Sequence, residues 1–216
     1  MDVRFQAPFT LLCCGPTSCG KTRWTQRLLS SGESLIKGFP ERIVWLYGEY
    51  QPAYTEILKT LPQIEFIKGI PEDICEMFQP QTRNLCVIDD LMQESSGNKD
   101  IGNLFTKSSH HRNLSVIFIM QNLFYQGKES RTISLNAHYI VLFKNIRDRT
   151  QIISLSKQMF PGNVKYMQEA YEDSTKKAYG YLLVDLKPST LDKMRLRSDI
   201  FLGEHTVVYT PKTKLR

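Results

Sequence analysis

Residues 15–22, GPTSCGKT, combine the residue types and spacing that hold a chain of phosphates. Gly15 and Gly20 stand where a backbone must bend tightly enough to aim successive N–H groups at phosphate oxygens. Pro16, Thr17, Ser18 and Cys19 form the cradle between them. Lys21 can reach the β and γ phosphates as a point charge, and Thr22 offers a hydroxyl to a magnesium ion. The spacing is that of G-x-x-x-x-G-K-[ST], with a strand-like run before it and a helix-like stretch after it, which is the setting the motif requires. ATP with Mg2+ is the ligand pair these residues suit.

Such a loop needs a carboxylate at the end of a neighbouring strand to hold the water shell of the magnesium. Asp89, closing the apolar run NLCVI, has that place, so Thr22 and Asp89 are the expected metal-side pair. Asp90 follows directly and should point elsewhere, toward a water in line with the γ-phosphate, as its general base. Gln121 ends LSVIFIM, a wholly apolar strand, at the carboxyl rim where ligands bind in sheets of this kind; it is expected to orient that water, with Asn122 as the alternative. Paired acids favour hydrolysis by water over transfer to a small acceptor, and no arginine-rich lid of a small-molecule kinase is evident. His110 and His111 lack cysteines or acids at zinc spacing and are expected as surface residues at a helix end.

The elements that must position these residues alternate along the chain. Strand-length apolar runs (PFTLLCC, 42–48, 64–69, 84–91, 114–122, 137–145 and 179–188) are separated by helix-length amphipathic stretches (21–29, 53–61, 101–109, the segment RDRTQIISLSKQMF, and a polar helix after PGN). SSGNKD reads as a loop and EHTVVYTP as a last edge strand. The pattern predicts an α/β fold, a mainly parallel sheet with helices on both faces.

The chain has 216 residues, enough for one sizeable core and short for two domains, so one domain over 1–216 is expected. Hydrophobic residues make up 41% and charged residues 23%, which is ordinary globular usage and excludes a disordered or repeat architecture. No apolar run approaches the roughly 18–20 residues of a membrane span, and MDVRFQAPF lacks the features of an export signal. The five cysteines, odd in number and without a CxxC pair, point to packing residues in a reducing compartment. A net charge of +6 and a pI near 9.0 suit a polyanionic partner. The basic residues thicken from about 187, and Lys193, Arg195 and Arg197 are the first place to expect contact with DNA.

GPTSCGKT, CVIDDL, SHHRNLSVIFIMQNLF and HYIVLFKNIRDRTQI together resemble the viral DNA-packaging ATPases of the FtsK–HerA superfamily, as found in poxvirus-like large DNA viruses and Maverick/Polinton-type elements. The similarity runs from about residue 9 to 201. It implies a P-loop ATPase fold with an additional strand between the phosphate-loop strand and the acid-pair strand. It also implies a homo-oligomeric ring that drives double-stranded DNA into a preformed capsid, meeting a capsid or portal-vertex protein. The implied setting is inside an infected or host cell, the nucleus included, or with the assembling virion. By resemblance Asp89 is the magnesium acid, Asp90 the catalytic acid and Gln121 the sensor. Arg112 is the arginine that would act on a neighbour's nucleotide, with Arg131, Arg147 and Arg149 as alternatives. The second acid is more often glutamate in that superfamily, and Asp90 is one methylene shorter. No match to an amino-terminal barrel, a winged helix or nuclease acids is seen, so the expectation is a bare motor. The alternative is an NTP-dependent switch that acts on a protein partner.

Overall fold

The computed structural model describes residues 3–91, 98–124 and 130–212. Among them, nine strands form one sheet: β2 (Thr10–Cys14), β4 (Arg42–Tyr47), β5 (Ile64–Lys68), β6 (Asn84–Asp89), β7 (Leu114–Met120), β8 (Tyr139–Phe143), β9 (Tyr181–Asp185), β10 (Leu196–Ser198) and β11 (Val207–Tyr209). A separate two-stranded ribbon pairs β1 (Phe5–Gln6) with β3 (Ile36–Lys37). The order across the sheet is β11-β10-β9-β8-β2-β7-β6-β4-β5. From β8 to β5 every pairing is parallel, and β9, β10 and β11 add on antiparallel at one side. β7 therefore lies between the strand that leads into residues 15–22 and the strand that ends at Asp89, the insertion the resemblance implies.

The parallel strands are almost wholly apolar because both of their faces are covered. Leu11, Cys13, Trp45, Val87 and Ile117 pack on one face with Trp24, Leu28 and Leu29 of α1 (Lys21–Ser30) and Tyr54 and Ile57 of α2 (Pro52–Thr60). Leu12, Val44, Cys86, Val116 and Phe118 pack on the other. There they meet Ile101 of α3 (Lys99–Asn103), Ile133 of α5 (Ser130–Leu135), Ile152 and Leu155 of α6 (Thr150–Met159), and Met167 and Ala170 of α7 (Val164–Ser174). In α1 the buried Trp24, Thr25, Leu28 and Leu29 recur at i, i+1, i+4 and i+5, one face of a helix. Propensity differences among such residues are at most about 0.7 kcal/mol each. Burying one large apolar side chain is worth about 1.5–3 kcal/mol, so packing against the sheet decides that this segment is helical.

Several boundaries differ from the sequence expectation. The helix foreseen over 101–109 begins at Lys99 and continues to His111, passing through a π-helical turn at Leu104–Ser108 and then α4 (Ser109–His111). β1, β3 and β10 were not foreseen, since two- and three-residue strands carry too little periodicity to register. The end of the chain needs a correction. Arg197, expected on a DNA-binding surface, lies in β10 at 2% exposure, with its guanidinium on Asp185 at 2.8 Å and on Val3 O at 3.0 Å. Arg195 is spent on Asp192, Asp185 O and Lys187 O, which leaves Lys193 exposed. A cation in a strand covered on both sides must find an anion inside the fold. The side chain of His110, the first half of the loop foreseen at SSGNKD (95–97), Lys214 and Arg216 lie outside the described residues, and the second half of that loop is Asn98 and the start of α3.

Candidate functional site

Residues 15–20 leave β2 at the middle of the sheet and turn into α1. Gly15 N–H donates to Met120 O at 3.2 Å, which ties the start of the loop to the end of β7. A Cβ at Gly15 would stand 2.7 Å from both Cys19 Sγ and Phe143 Cβ, closer than a side chain tolerates. Gly20 has φ +105, a conformation that suits glycine, and Ser18 has φ +61. No side chain caps the N-terminus of α1, and its first turn holds no acid, so its free N–H groups face outward as an anion would need them. Lys21 folds back over the loop and donates to Gly15 O at 2.7 Å and Pro16 O at 2.8 Å, so its charge is already held above the cradle.

The register of the parallel strands brings the acids to this loop. Asp89 pairs with Ile119 and Cys14 with Met120, so Asp89, Asp90 and Gln121 emerge at one rim with residues 15–22. Asp89 is 2% exposed, and its Oδ2 accepts from Thr22 Oγ1 at 3.3 Å and from Tyr54 OH at 3.0 Å. Burial pushes its carboxyl up to about 6, with the Tyr54 hydrogen bond working against burial and Asp90 working with it. Asp90 has φ +57, and this left-handed residue swings the second carboxylate out of the strand, so it is exposed while its neighbour is buried. Gln121 Nε2 stands 3.5 Å from Asp90 Oδ1. Asn122 instead accepts from Phe124 N–H at 2.9 Å, closing its own turn, so Gln121 is the amide that meets the acid.

These groups line a cleft of about 350 Å3, to which Thr17, Ser18, Arg23, Gln51 and Ala53 also contribute. Larger hollows of about 430 and 700 Å3 contain neither the acid pair nor Lys21. Tyr54 and Gln51 were missed by sequence reasoning. Tyr54 looks like one more apolar position of an amphipathic helix, and nothing in the sequence marks its hydroxyl as the partner of an acid 35 residues away. Thr22 and Asp89 present hard oxygens side by side, which fits Mg2+, an ion that keeps several waters and takes few protein ligands. No cluster of three or more His, Cys, Asp or Glu suited to a metal occurs among the described residues.

The arginines do not gather at this cleft. Arg112 precedes β7, at the opposite end of a seven-residue strand and roughly 20 Å from the loop. It donates to Phe78 O at 3.1 Å, and its own carbonyl accepts from Asn84 Nδ2. Arg131 is exposed on α5. Arg147 and Arg149 follow β8, outside the lining of the cleft: Arg147 is exposed, and Arg149 pairs with Glu172 at 3.5 Å and lines a separate hollow. His111 is exposed. The five cysteines are free, and burial pushes the Cys13 and Cys14 thiols up, as for packing residues. No described helix is long and apolar enough to cross a membrane.

No family model and no curated protein matches the sequence. Solved structures do match. The fold is that of a P-loop NTPase. The chain is similar to B204, the DNA-packaging ATPase of Sulfolobus turreted icosahedral virus, at 11% identity and a TM-score of 0.57, with 96% of this chain and 99% of that one covered. It is also similar to B204, the genome packaging NTPase of Sulfolobus turreted icosahedral virus 2. The complex with sulfate gives 12% identity, coverage of 95% and 97%, and a TM-score of 0.53. The complex with ATP-γS gives 13% identity, coverage of 98% and 99%, and a TM-score of 0.53. Nearly complete coverage at so low an identity means that what is shared is the arrangement of strands and helices.

Proposed function

We propose that this chain is an ATP-hydrolysing motor that drives double-stranded DNA into a viral or virus-like capsid. The observation that carries this is the convergence of the 15–22 loop, buried Asp89, outward-turned Asp90 and Gln121 in one cleft. The fold shared with B204, a DNA-packaging ATPase, supports the choice of work to which hydrolysis is coupled.

In the proposed reaction the N–H groups of residues 15–22 and the start of α1 bind the phosphates. Lys21 exchanges the Gly15 and Pro16 carbonyls for β and γ oxygens. Bound Mg2+, held beside Thr22 and Asp89, would neutralise charge on the phosphate chain. Gln121 orients a water in line with the γ-phosphorus, and Asp90 accepts its proton as the new P–O bond forms. The bond to the β–γ bridging oxygen breaks, and ADP and phosphate leave.

The same proposal includes a homo-oligomeric ring inside the infected cell and a capsid or portal-vertex protein as its dock. Arg112, remote from its own cleft, is the arginine proposed to act on a neighbour, because a head-to-tail contact joins different surfaces of two copies. Arg147 is the second choice. The decisive measurement is ATP turnover with and without duplex DNA. Acceleration by DNA, with an affinity that falls steeply as salt rises, is expected of a motor gripping phosphates. Turnover indifferent to DNA and accelerated by a protein partner would favour the switch instead.

A further inference from the structure

Tyr179 is an exposed side chain beside the 15–22 loop, on the β8–β9 side of β2 and away from the acids. It precedes β9 in a turn closed by Gly180 N–H to Lys177 O at 3.1 Å, and that turn is anchored by the ion pair of Lys177 with Asp199. Its φ is +60, at the turn position where glycine or asparagine is usual. A bulky residue held there at 70% exposure neither fills the core nor relaxes its backbone. Its ring nevertheless has a definite place: a Cβ built on Gly20 would lie 3.1 Å from Tyr179 Cδ1, so the ring edge abuts the loop. Tyr50, at 55% exposure, packs edge-on against Tyr47 and Tyr54, whereas Tyr179 meets no other ring among the described residues.

We propose that Tyr179 is the base platform of the nucleotide site: the ring of a nucleoside triphosphate stacks on its face while the phosphates occupy residues 15–22. This rests on the nucleotide-binding part of the proposed function. Strand order gives the direction. Asp89, Asp90 and Gln121 come from β6 and β7 on one side of β2, and β8 and β9 lie on the other. A triphosphate with its γ end at the acids therefore runs its nucleoside end toward β9, which is two strands, roughly 10 Å, from β2. An aromatic ring with a free face is what a base needs there, and backbone strain maintained at a ligand clamp is a recognised use of such conformations.

The test is calorimetric titration with a non-hydrolysable ATP analogue and, separately, with inorganic tripolyphosphate, both with Mg2+. The proteins are the wild type, Tyr179→Ala, Tyr179→Gly and Tyr179→Phe. Tyr179→Ala and Tyr179→Gly are expected to lose about tenfold or more in affinity for the nucleotide, the size of one base–aromatic stack. Both should keep wild-type affinity for tripolyphosphate, and Tyr179→Phe should match the wild type on both ligands. Thermal unfolding should show Tyr179→Gly at least as stable as the wild type without ligand, since glycine accepts φ +60 freely. Equal losses for nucleotide and tripolyphosphate would overturn the proposal and make Tyr179 a prop for the loop. An unchanged nucleotide affinity would also overturn it. A wild-type chain that binds neither ligand would refute nucleotide binding itself, and the base platform with it.

Discussion

Replacing Asp89 with asparagine should make the free protein more stable while removing the proposed magnesium-dependent binding of nucleotide. The carboxyl is 2% exposed and is pushed from 3.8 to about 6, chiefly by burial. The shift is about two pH units, which at about 1.4 kcal/mol per unit amounts to roughly 3 kcal/mol. A folded-state value raised above the unfolded one means that the fold favours the protonated acid. The wild type is therefore most favoured, as far as this group is concerned, below pH 3.8, and it loses that stability as pH rises through about 6. Asparagine is uncharged throughout and can still accept the Tyr54 hydrogen bond made at 3.0 Å. Unfolding temperatures of both proteins, measured from pH 4 to pH 8 without nucleotide or metal, should be similar at pH 4. They should then separate between about pH 4 and pH 6, with half of the difference reached near pH 5. The variant should stand higher by about 6 °C or more at pH 8, since 1 kcal/mol moves a chain of this size by about 2–4 °C. Carboxylates remote from residue 89 titrate alike in both proteins and drop out of the difference, which leaves Asp89 and its coupling to Asp90. Mg2+ with a non-hydrolysable ATP analogue should then raise the wild type and leave the variant where it was. A difference independent of pH, or a variant less stable at pH 8, would refute the assignment of Asp89 as a buried acid awaiting a cation.

Lys21→Ala should abolish nucleotide binding, whereas Asp90→Asn should keep the nucleotide bound and stop its cleavage; titration and turnover assays on the same preparations separate the two, and equal loss of affinity would show the roles to be wrong. Arg197→Ala should destabilise the fold by about 3–5 kcal/mol, seen in denaturant unfolding, because it leaves Asp185 buried without its cation. A DNA affinity reduced by that variant when fully folded would contradict its interior placement. Arg112→Ala and Asp90→Asn proteins, inactive apart, should regain turnover when mixed across a range of ratios, since some interfaces then join an intact Asp90 to an intact Arg112. Near-normal turnover of Arg112→Ala alone would move the role to Arg147.

The cleft was legible in the sequence as far as short-range chemistry reaches. GPTSCGKT declares its loop because glycine spacing, a lysine and a hydroxyl leave few other uses, and the acids and Gln121 are conspicuous as polar ends on apolar strands. Period and length likewise determined the α/β class, since a strand covered on both faces must be apolar throughout. Three things waited for the tertiary structure, each because it depends on a neighbour distant in sequence. Strand order placed β7 between β2 and β6 and so set Gln121 beside Asp90. Packing of α2 delivered Tyr54 to Asp89, from a position that periodicity marks only as apolar. Burial of β10 between β9 and β11 turned Arg197 from a surface cation into half of an interior ion pair with Asp185. Charge and residue type are written in the chain, but exposure is a property of what packs on top, and only the folded arrangement decides it.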